Sequence, residues 1–271
     1  MRDQPGHGHV QEVAAVPHRR SILIAGAALA AWFRWGNAFE TGQKPSTLPR
    51  GCFAHSRRSS APGTPSENED DREIPAPISR SGDHQFDSAL MDMLERTSRI
   101  LNVLPAFRYY DDWRYAPSGN AEAIQFPSGT DGTVYFGLHL LQTLRQEFGK
   151  DVLIGATAIS AHEFAHILQF KHGLVEKVTR GERTVRRQEL QADFLAGYVA
   201  GKFERNRLTF PSELVALAIF KIGDLEVSSK EHHGTHQQRR RAVEEGYIAG
   251  NRFALPLPDV IEQSTDYVLR L

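Results

Sequence analysis

The pattern of apolar and polar positions from about residue 86 onward first predicts a helix, then short strands, then mainly helices. Apolar residues recur with helical spacing over residues 86–101. Short runs typical of strands follow at 107–110, 121–126 and 133–136. Helical patterns then cover residues 138–148, 151–173, 186–205, 211–222 and 237–249. Strands early and helices late predict an α+β fold, with a small antiparallel sheet over a mainly helical base.

The first 85 residues have a different composition. Arg19 and Arg20 precede an apolar run at residues 22–33, which is too short for a comfortable membrane span. This pattern predicts that residues 1–40 are an export signal, with an uncleaved membrane anchor as the alternative. Localisation would then be periplasmic, extracellular or membrane-tethered. Eight Lys and Arg against three Asp and Glu in the first sixty residues leave a mitochondrial transit peptide open.

The boundary of the folded domain follows from the same comparison. Residues 41–85 are rich in Pro, Ser, Gly and charge, and they have few apolar residues to bury. We expect them to form a disordered linker. Residues 86–271 are long enough to enclose one substantial core and are predicted to form a single domain.

The most apolar helical pattern, at residues 151–173, contains a motif with metal chemistry. His162 and His166 are four residues apart, so on a helix both imidazoles can face one ion. Glu163 lies beside them and is suited to act as general base toward a metal-activated water. Buried His and Glu side chains require partners, and a metal supplies one for all three. The segment therefore predicts one catalytic zinc ion per chain.

A catalytic zinc usually has three protein ligands, and two residues compete for the third place. A continuing helix would turn His172 about 80° away from His162. Glu189 lies on the predicted helix 186–205, with Asp193 four residues later. Because two such carboxylates repel each other modestly, a nearby cation and an imidazole N–H explain the pair better. We expect Glu189 to bind zinc and Asp193 to fix the tautomer of His162 or His166.

These motifs resemble those of known zinc peptidases. The HExxH sequence at 162–166, followed by Glu-x-x-x-Asp at 189–193, is similar to the gluzincins typified by the CAAX prenyl protease and the bacterial heat-shock membrane zinc peptidase. A related family of neutral zinc metallopeptidases also has a His-Gly-Thr segment, which residues 233–235 match. Either resemblance implies a zincin-like fold. It also implies His162, His166 and Glu189 on zinc, Glu163 as general base, and His236 beside the substrate oxyanion.

The resemblance extends to a strand that would bind substrate. Asn120, Ala121 and Ala123 match the Asn-Ala-x-Ala edge strand of the gluzincin group. An open sheet edge can bind an extended peptide by adding it as a further strand. The predicted partner is therefore a polypeptide substrate, and the oligomeric state is left open.

Charge excludes one further class of function. A net charge of −1 argues against a nucleic-acid-binding protein, and the run Arg239–Arg241 is interpreted as a solvated helix face. The leading hypothesis is a zinc metalloendopeptidase that hydrolyses extended or misfolded polypeptides in protein quality control. The alternatives are a noncatalytic, zinc-stabilised client-binding protein and a metal hydrolase with a nonpeptide substrate. The presence of Glu163 argues against the noncatalytic protein, because a structural zinc site has no use for a base.

Overall fold

The computed structural model describes residues 76–113, 120–125, 130–221 and 232–271, all of them within one compact unit. The predicted signal or anchor and most of the predicted linker lie outside these residues. In the part of the chain that is described, no helix is long and apolar enough to cross a membrane. Ordered structure begins before Phe86, since Ile78 forms a β-bridge with Tyr109.

The described elements confirm the predicted α+β class. The strands are β1 (Ala106–Tyr110), β2 (Ala121–Ile124) and β3 (Thr133–Gly137). The helices are α1 (His84–Leu101), α2 (Leu138–Phe148), α3 (Val152–Lys171), α4 (Leu174–Thr179), α5 (Arg186–Arg205), α6 (Ser212–Lys221), α7 (His236–Asn251) and α8 (Leu257–Leu269). The sequence pattern predicts all of these except the short α4 and the C-terminal α8.

The sheet is mixed, so the prediction of a purely antiparallel sheet was wrong. The strand order is β1-β3-β2, with β2 antiparallel to β3 and β1 parallel to it. The chain between β1 and β3 is long enough to contain β2, and this lets β3 return alongside β1 in the same direction. Strand β2 lies at the end of the strand order, and all four of its residues are buried.

One face of the sheet packs into the main core and carries α3 with it. The core-facing residues alternate along the strands, as expected for period two, and they are Phe107, Tyr109, Ala121, Ala123, Val134 and Phe136. Residues 155–170 of α3 are buried on all sides. The apolar pattern around the two histidines therefore does correspond to a buried central helix.

Helices α5 and α7 lie in backbone contact. Gly197 and Gly201 of α5 face the backbone of α7, while Gly246 and Gly250 of α7 face the backbone of α5. A Cβ added at Gly246 would overlap the carbonyl oxygen of Phe194. The contacts advance in the same direction along both helices, so the two helices run parallel. This close approach fixes how residues at the start of α7 meet the middle of α5.

Candidate metal centre

Three buried side chains converge where α3 packs against α5. His162 and His166 lie on successive turns of α3, and Glu189 lies in the first turn of α5. One ligand atom from each lies within 4.8 Å of the other two, and this is the one such group found among the described residues. Helix packing therefore brings together the three residues predicted as zinc ligands, and it leaves His172 exposed at the end of α3.

The separations among the three ligand atoms match those around a tetrahedral zinc ion. The two Nε2 atoms of His162 and His166 lie 3.1 Å apart. The Glu189 carboxylate oxygens lie 3.3 Å from His162 Nε2 and 3.3 Å from His166 Nε2. Zinc bonds of about 2.0–2.1 Å at tetrahedral angles require about 3.3 Å between ligand atoms. The residues present fit zinc, and three protein ligands are the number found in catalytic sites.

Asp193 determines the orientation of His162. Its Oδ1 lies 2.9 Å from His162 Nδ1, on the side of the ring opposite the ligand atom. The sequence left open which histidine Asp193 would contact, and the structure places it against His162. An N–H at Nδ1 leaves the Nε2 lone pair free for the metal.

Arg239 holds Asp193 in place. Its Nε donates to Asp193 Oδ2 and its Nη2 donates to Asp193 Oδ1, both at 2.8 Å. Arg239 is 3% exposed, so the interpretation of this residue as part of a solvated face was wrong. Arg240 and Arg241 are exposed, as that interpretation required. The helical period turns the first arginine of the run inward and the next two outward.

His166 is oriented by an amide instead of a carboxylate. Its Nδ1 lies 2.8 Å from Gln169 Oε1, which can only accept a hydrogen bond. Nδ1 must then carry the proton, so His166 and His162 both turn an Nε2 lone pair toward Glu189. Two such lone pairs 3.1 Å apart repel each other unless a cation lies between them. This geometry supports metal binding independently of the motif.

Glu163 is buried and chemically distinct from Glu189. Neither of its carboxylate oxygens has a hydrogen-bond partner within the described residues, and burial raises the pKa of Glu163 to about 8. Burial would also raise the pKa of Glu189, but in the metal-free protein the charge of protonated His166, the charge of His233 and the contacts with His162 and His166 hold that pKa well below its ordinary value. Among the protein groups alone, Glu189 is thus the ionised ligand and Glu163 the group that retains a proton.

His236 does not join this cluster of candidate ligands. It is exposed in the first turn of α7, and its ring meets Phe220 edge-on. His232 and His233 are the buried histidines of this segment, at 4% and 1% exposure. The charge of His233 is one cause of the lowered pKa of Glu189, so His233 lies within electrostatic reach of the candidate ligands.

Strand β2 lies near Glu163. Glu122 belongs to this strand, and its charge is one cause of the raised pKa of Glu163. The start of the strand is tied down by Asp112, whose carboxylate accepts hydrogen bonds from the backbone N–H of Asn120, His139 and Leu140. Ala121 and Ala123 have their side chains in the core. Any contact these two make with a peptide would therefore use the backbone.

The roles of Arg239 and Gln169 in the site were not predicted from the sequence, which favoured His236 over His233. Arg239 contacts Asp193 from another helix, and a pattern within one segment does not reveal such a contact. Gln169 lies three residues after His166 on the same helix, so its spacing was the available signal. His233 had a signal, since the His-Gly-Thr segment starts with it.

Comparison with known proteins adds one finding. A family model described as "Putative neutral zinc metallopeptidase" matches residues 94–254, which is more than half of the chain and includes every residue of the metal centre. No curated protein and no solved structure matches the sequence.

Proposed function

The chain belongs to this family of neutral zinc metallopeptidases, and from that premise we propose that it is a zinc-dependent endopeptidase acting on extended or misfolded polypeptides. The observation that carries the proposal is the arrangement of His162, His166 and Glu189 at tetrahedral separations, with a buried carboxylate at Glu163. We propose one zinc ion per chain, held by these three side chains.

The chain's own groups have distinct roles in the proposed reaction. A bound zinc ion would supply the Lewis acidity that polarises a peptide carbonyl and activates water. Glu163 accepts a proton from the attacking water and passes it to the leaving amine. Glu163 must be ionised before attack, which the positive charge of a bound metal would favour; its burial then favours retention of the proton between the two transfers. Asp193 and Gln169 keep both imidazoles in the tautomer that binds metal.

We assign the predicted oxyanion role to His233 in place of His236. His233 is buried, and its charge contributes to the lowered pKa of Glu189. A donor in such a position can stabilise the negative charge that develops on the carbonyl oxygen during attack. His236 is exposed and packs on Phe220, so it serves as the natural comparison.

Strand β2 supports an extended polypeptide as the substrate. It ends the strand order and lies close enough to Glu163 for Glu122 to affect that residue's pKa. A peptide aligned along β2 through backbone hydrogen bonds would be held without regard to most of its side chains. This accounts for the proposed role in clearing misfolded proteins.

The arginine pair and apolar run at residues 19–33 support export or membrane tethering, with mitochondrial import as the alternative. Fractionation of cells that express the full chain, with and without residues 1–40, tests this. Equal distribution of both forms among the fractions would contradict the proposal.

Incubation with one model protein in two states tests the substrate class. We expect the full chain with zinc to cleave reduced, carboxymethylated lactalbumin much faster than native lactalbumin, with new N termini visible by mass spectrometry. Equal rates would contradict the preference for extended chains. Zinc binding without any new N terminus would favour the noncatalytic protein or the hydrolase of a nonpeptide substrate.

A further inference from the structure

A line of buried hydrogen bonds leads from the metal ligand His166 to the C-terminal helix α8. His166 Nδ1 meets Gln169 Oε1 at 2.8 Å, and Gln169 Nε2 donates to Gln191 Oε1 at 3.0 Å. Gln191 Nε2 then donates to Thr265 Oγ1 at 2.9 Å and to Ser264 Oγ at 3.3 Å. We call these five residues the relay; three helices, α3, α5 and α8, contribute to it.

Every bond in the relay has a defined direction. The hydroxyls of Ser264 and Thr265 both donate to the carbonyl oxygen of Ile261, at 3.0 and 2.7 Å, so toward Gln191 they can only accept. Gln191 must therefore present its NH₂ group to α8 and its oxygen to Gln169. Gln169 also donates to the carbonyl oxygen of Gln188 at 2.8 Å, which leaves its own oxygen for His166. The hydrogen bonds to the carbonyl oxygen of Ile261 therefore determine, step by step, the orientation of both amides and the proton position on the His166 ring.

All members of the relay are buried. Gln169, Gln191 and Ser264 are 0% exposed and Thr265 is 1% exposed. Reversal of either amide would place two donors or two acceptors face to face, and such mismatches are costly in a network this deeply buried. The orientation of one amide therefore constrains the next.

We infer that Ser264 and Thr265 of α8 are positioning residues for zinc, acting through Gln191 and Gln169 to hold His166 in its metal-binding tautomer and ring orientation. The inference rests on the proposed function, because it requires that His166 bind zinc. Helix α8 lies beyond residues 94–254, the part that matches the family model. The family resemblance therefore does not account for this helix, whereas the relay gives it a role in the site.

Graded variants of the full chain test this role. Partners that orient metal-binding histidines typically change metal affinity by about 10–100-fold when removed. We expect Gln169→Leu to weaken zinc binding by about that factor and Ser264→Ala/Thr265→Val by about tenfold, measured by competition with a chelator. The Co²⁺ absorption spectrum of both variants should shift, because the geometry at His166 changes. Thr265→Ser keeps the hydroxyl, so it should have the zinc affinity and the Co²⁺ spectrum of the unmodified chain.

Thr97→Val is the matched control. Thr97 is also buried in a helix, and its hydroxyl likewise donates to the carbonyl oxygen four residues earlier, that of Met93. Thermal melts and circular dichroism establish that each variant is folded; if the double variant does not fold, Thr265→Val alone takes its place, since it keeps the Ser264 acceptor. Loss of affinity in the relay variants, with Thr97→Val unchanged, supports the inference.

Two outcomes overturn the inference and separate it from the proposed function. If the parent chain binds zinc and the folded relay variants match it in affinity and Co²⁺ spectrum, or the control loses as much, α8 does not position His166. The peptidase proposal then survives. If the parent chain binds neither Zn²⁺ nor Co²⁺, the proposed function fails and the relay serves only to hold three helices together.

Discussion

Arg239 donates two hydrogen bonds of 2.8 Å to the carboxylate of Asp193, from Nε to Oδ2 and from Nη2 to Oδ1. Oδ1 of Asp193 in turn lies 2.9 Å from Nδ1 of His162. One end of α7 thereby determines the orientation of a side chain on α3. The bidentate geometry requires a planar guanidinium, which a lysine cannot reproduce.

Arg239→Leu should therefore damage both the fold and the metal centre. Removal of one partner of a buried ion pair leaves an uncompensated charge, at a cost of about 3–5 kcal/mol in the free energy of unfolding. Zinc affinity should also fall by about 10–100-fold, since His162 loses its fixed partner. Urea unfolding and zinc titration measure the two effects. Arg240→Leu, at an exposed neighbouring position, is the control, and equal behaviour of the two variants would contradict this account.

Gly246→Ala should loosen the contact between α5 and α7. The added methyl group would overlap the carbonyl oxygen of Phe194, and backbone atoms cannot yield as a flexible side chain can. Overpacking of this kind costs about 1–3 kcal/mol or more. Gly155→Ala is the matched helical control, because a Cβ there would lie 3.4 Å from Leu144 Cδ2 and gain helix propensity. Thermal melts should show loss in the first variant and not in the second; similar melting temperatures would refute the close packing.

The two histidines near the start of α7 should differ in their effect on activity. His233→Ala should lower kcat by about 10²–10³-fold, the usual loss when a donor to an oxyanion is removed. His236→Ala should leave kcat nearly unchanged, because that residue is exposed. Both should retain zinc, which inductively coupled plasma mass spectrometry measures. The reverse order of effects would return the role to His236.

Asp83 should make stability depend on pH in a predictable window. Its carboxylate accepts from the backbone N–H of Phe86 and from Arg145, both at 3.0 Å, and these bonds lower its pKa below the ordinary 3.8. A carboxyl group with a depressed folded-state pKa stabilises the fold above its unfolded pKa, and that stability is lost as pH falls through the folded pKa. In Asp83→Asn the amide oxygen can still cap the start of α1 by accepting from the N–H of Phe86, but there is no carboxyl group to titrate.

Unfolding with urea between pH 2 and 6, with EDTA present throughout, checks this. The parent should lose its advantage over Asp83→Asn only below about pH 3.8. A difference between the two proteins that stays constant over that range would show that Asp83 does not titrate in this way.

The sequence predicted the parts of this molecule that depend on local spacing. The HExxH motif and the pair Glu189 and Asp193 each span only one or two helical turns. Their relative positions on a helix therefore follow from spacing alone, so both helices and the three candidate ligands could be predicted. The strands and most helix limits followed from the same periodicities. These features need no knowledge of how elements pack.

The features that escaped prediction depend on contacts between distant segments. In the sequence, Arg239 cannot be distinguished from its exposed neighbours Arg240 and Arg241. Only the parallel packing of α5 and α7 places it against Asp193. The glycines that allow this packing are ordinary helix residues when viewed singly. Gln169 and Thr265 are separated by almost one hundred residues, and no local pattern links them. The parallel pairing of β1 and β3 likewise depends on how the connection crosses, which strand patterns do not encode.

Zinc content and casein cleavage of the full chain, compared with Glu163→Gln and Glu189→Ala, show whether this protein is a zinc peptidase with these residue roles. The unmodified chain should bind one zinc ion and cleave casein. Glu163→Gln should keep its zinc and lose cleavage, and Glu189→Ala should lose both. Zinc retained by Glu189→Ala, or cleavage retained by Glu163→Gln, would contradict these roles.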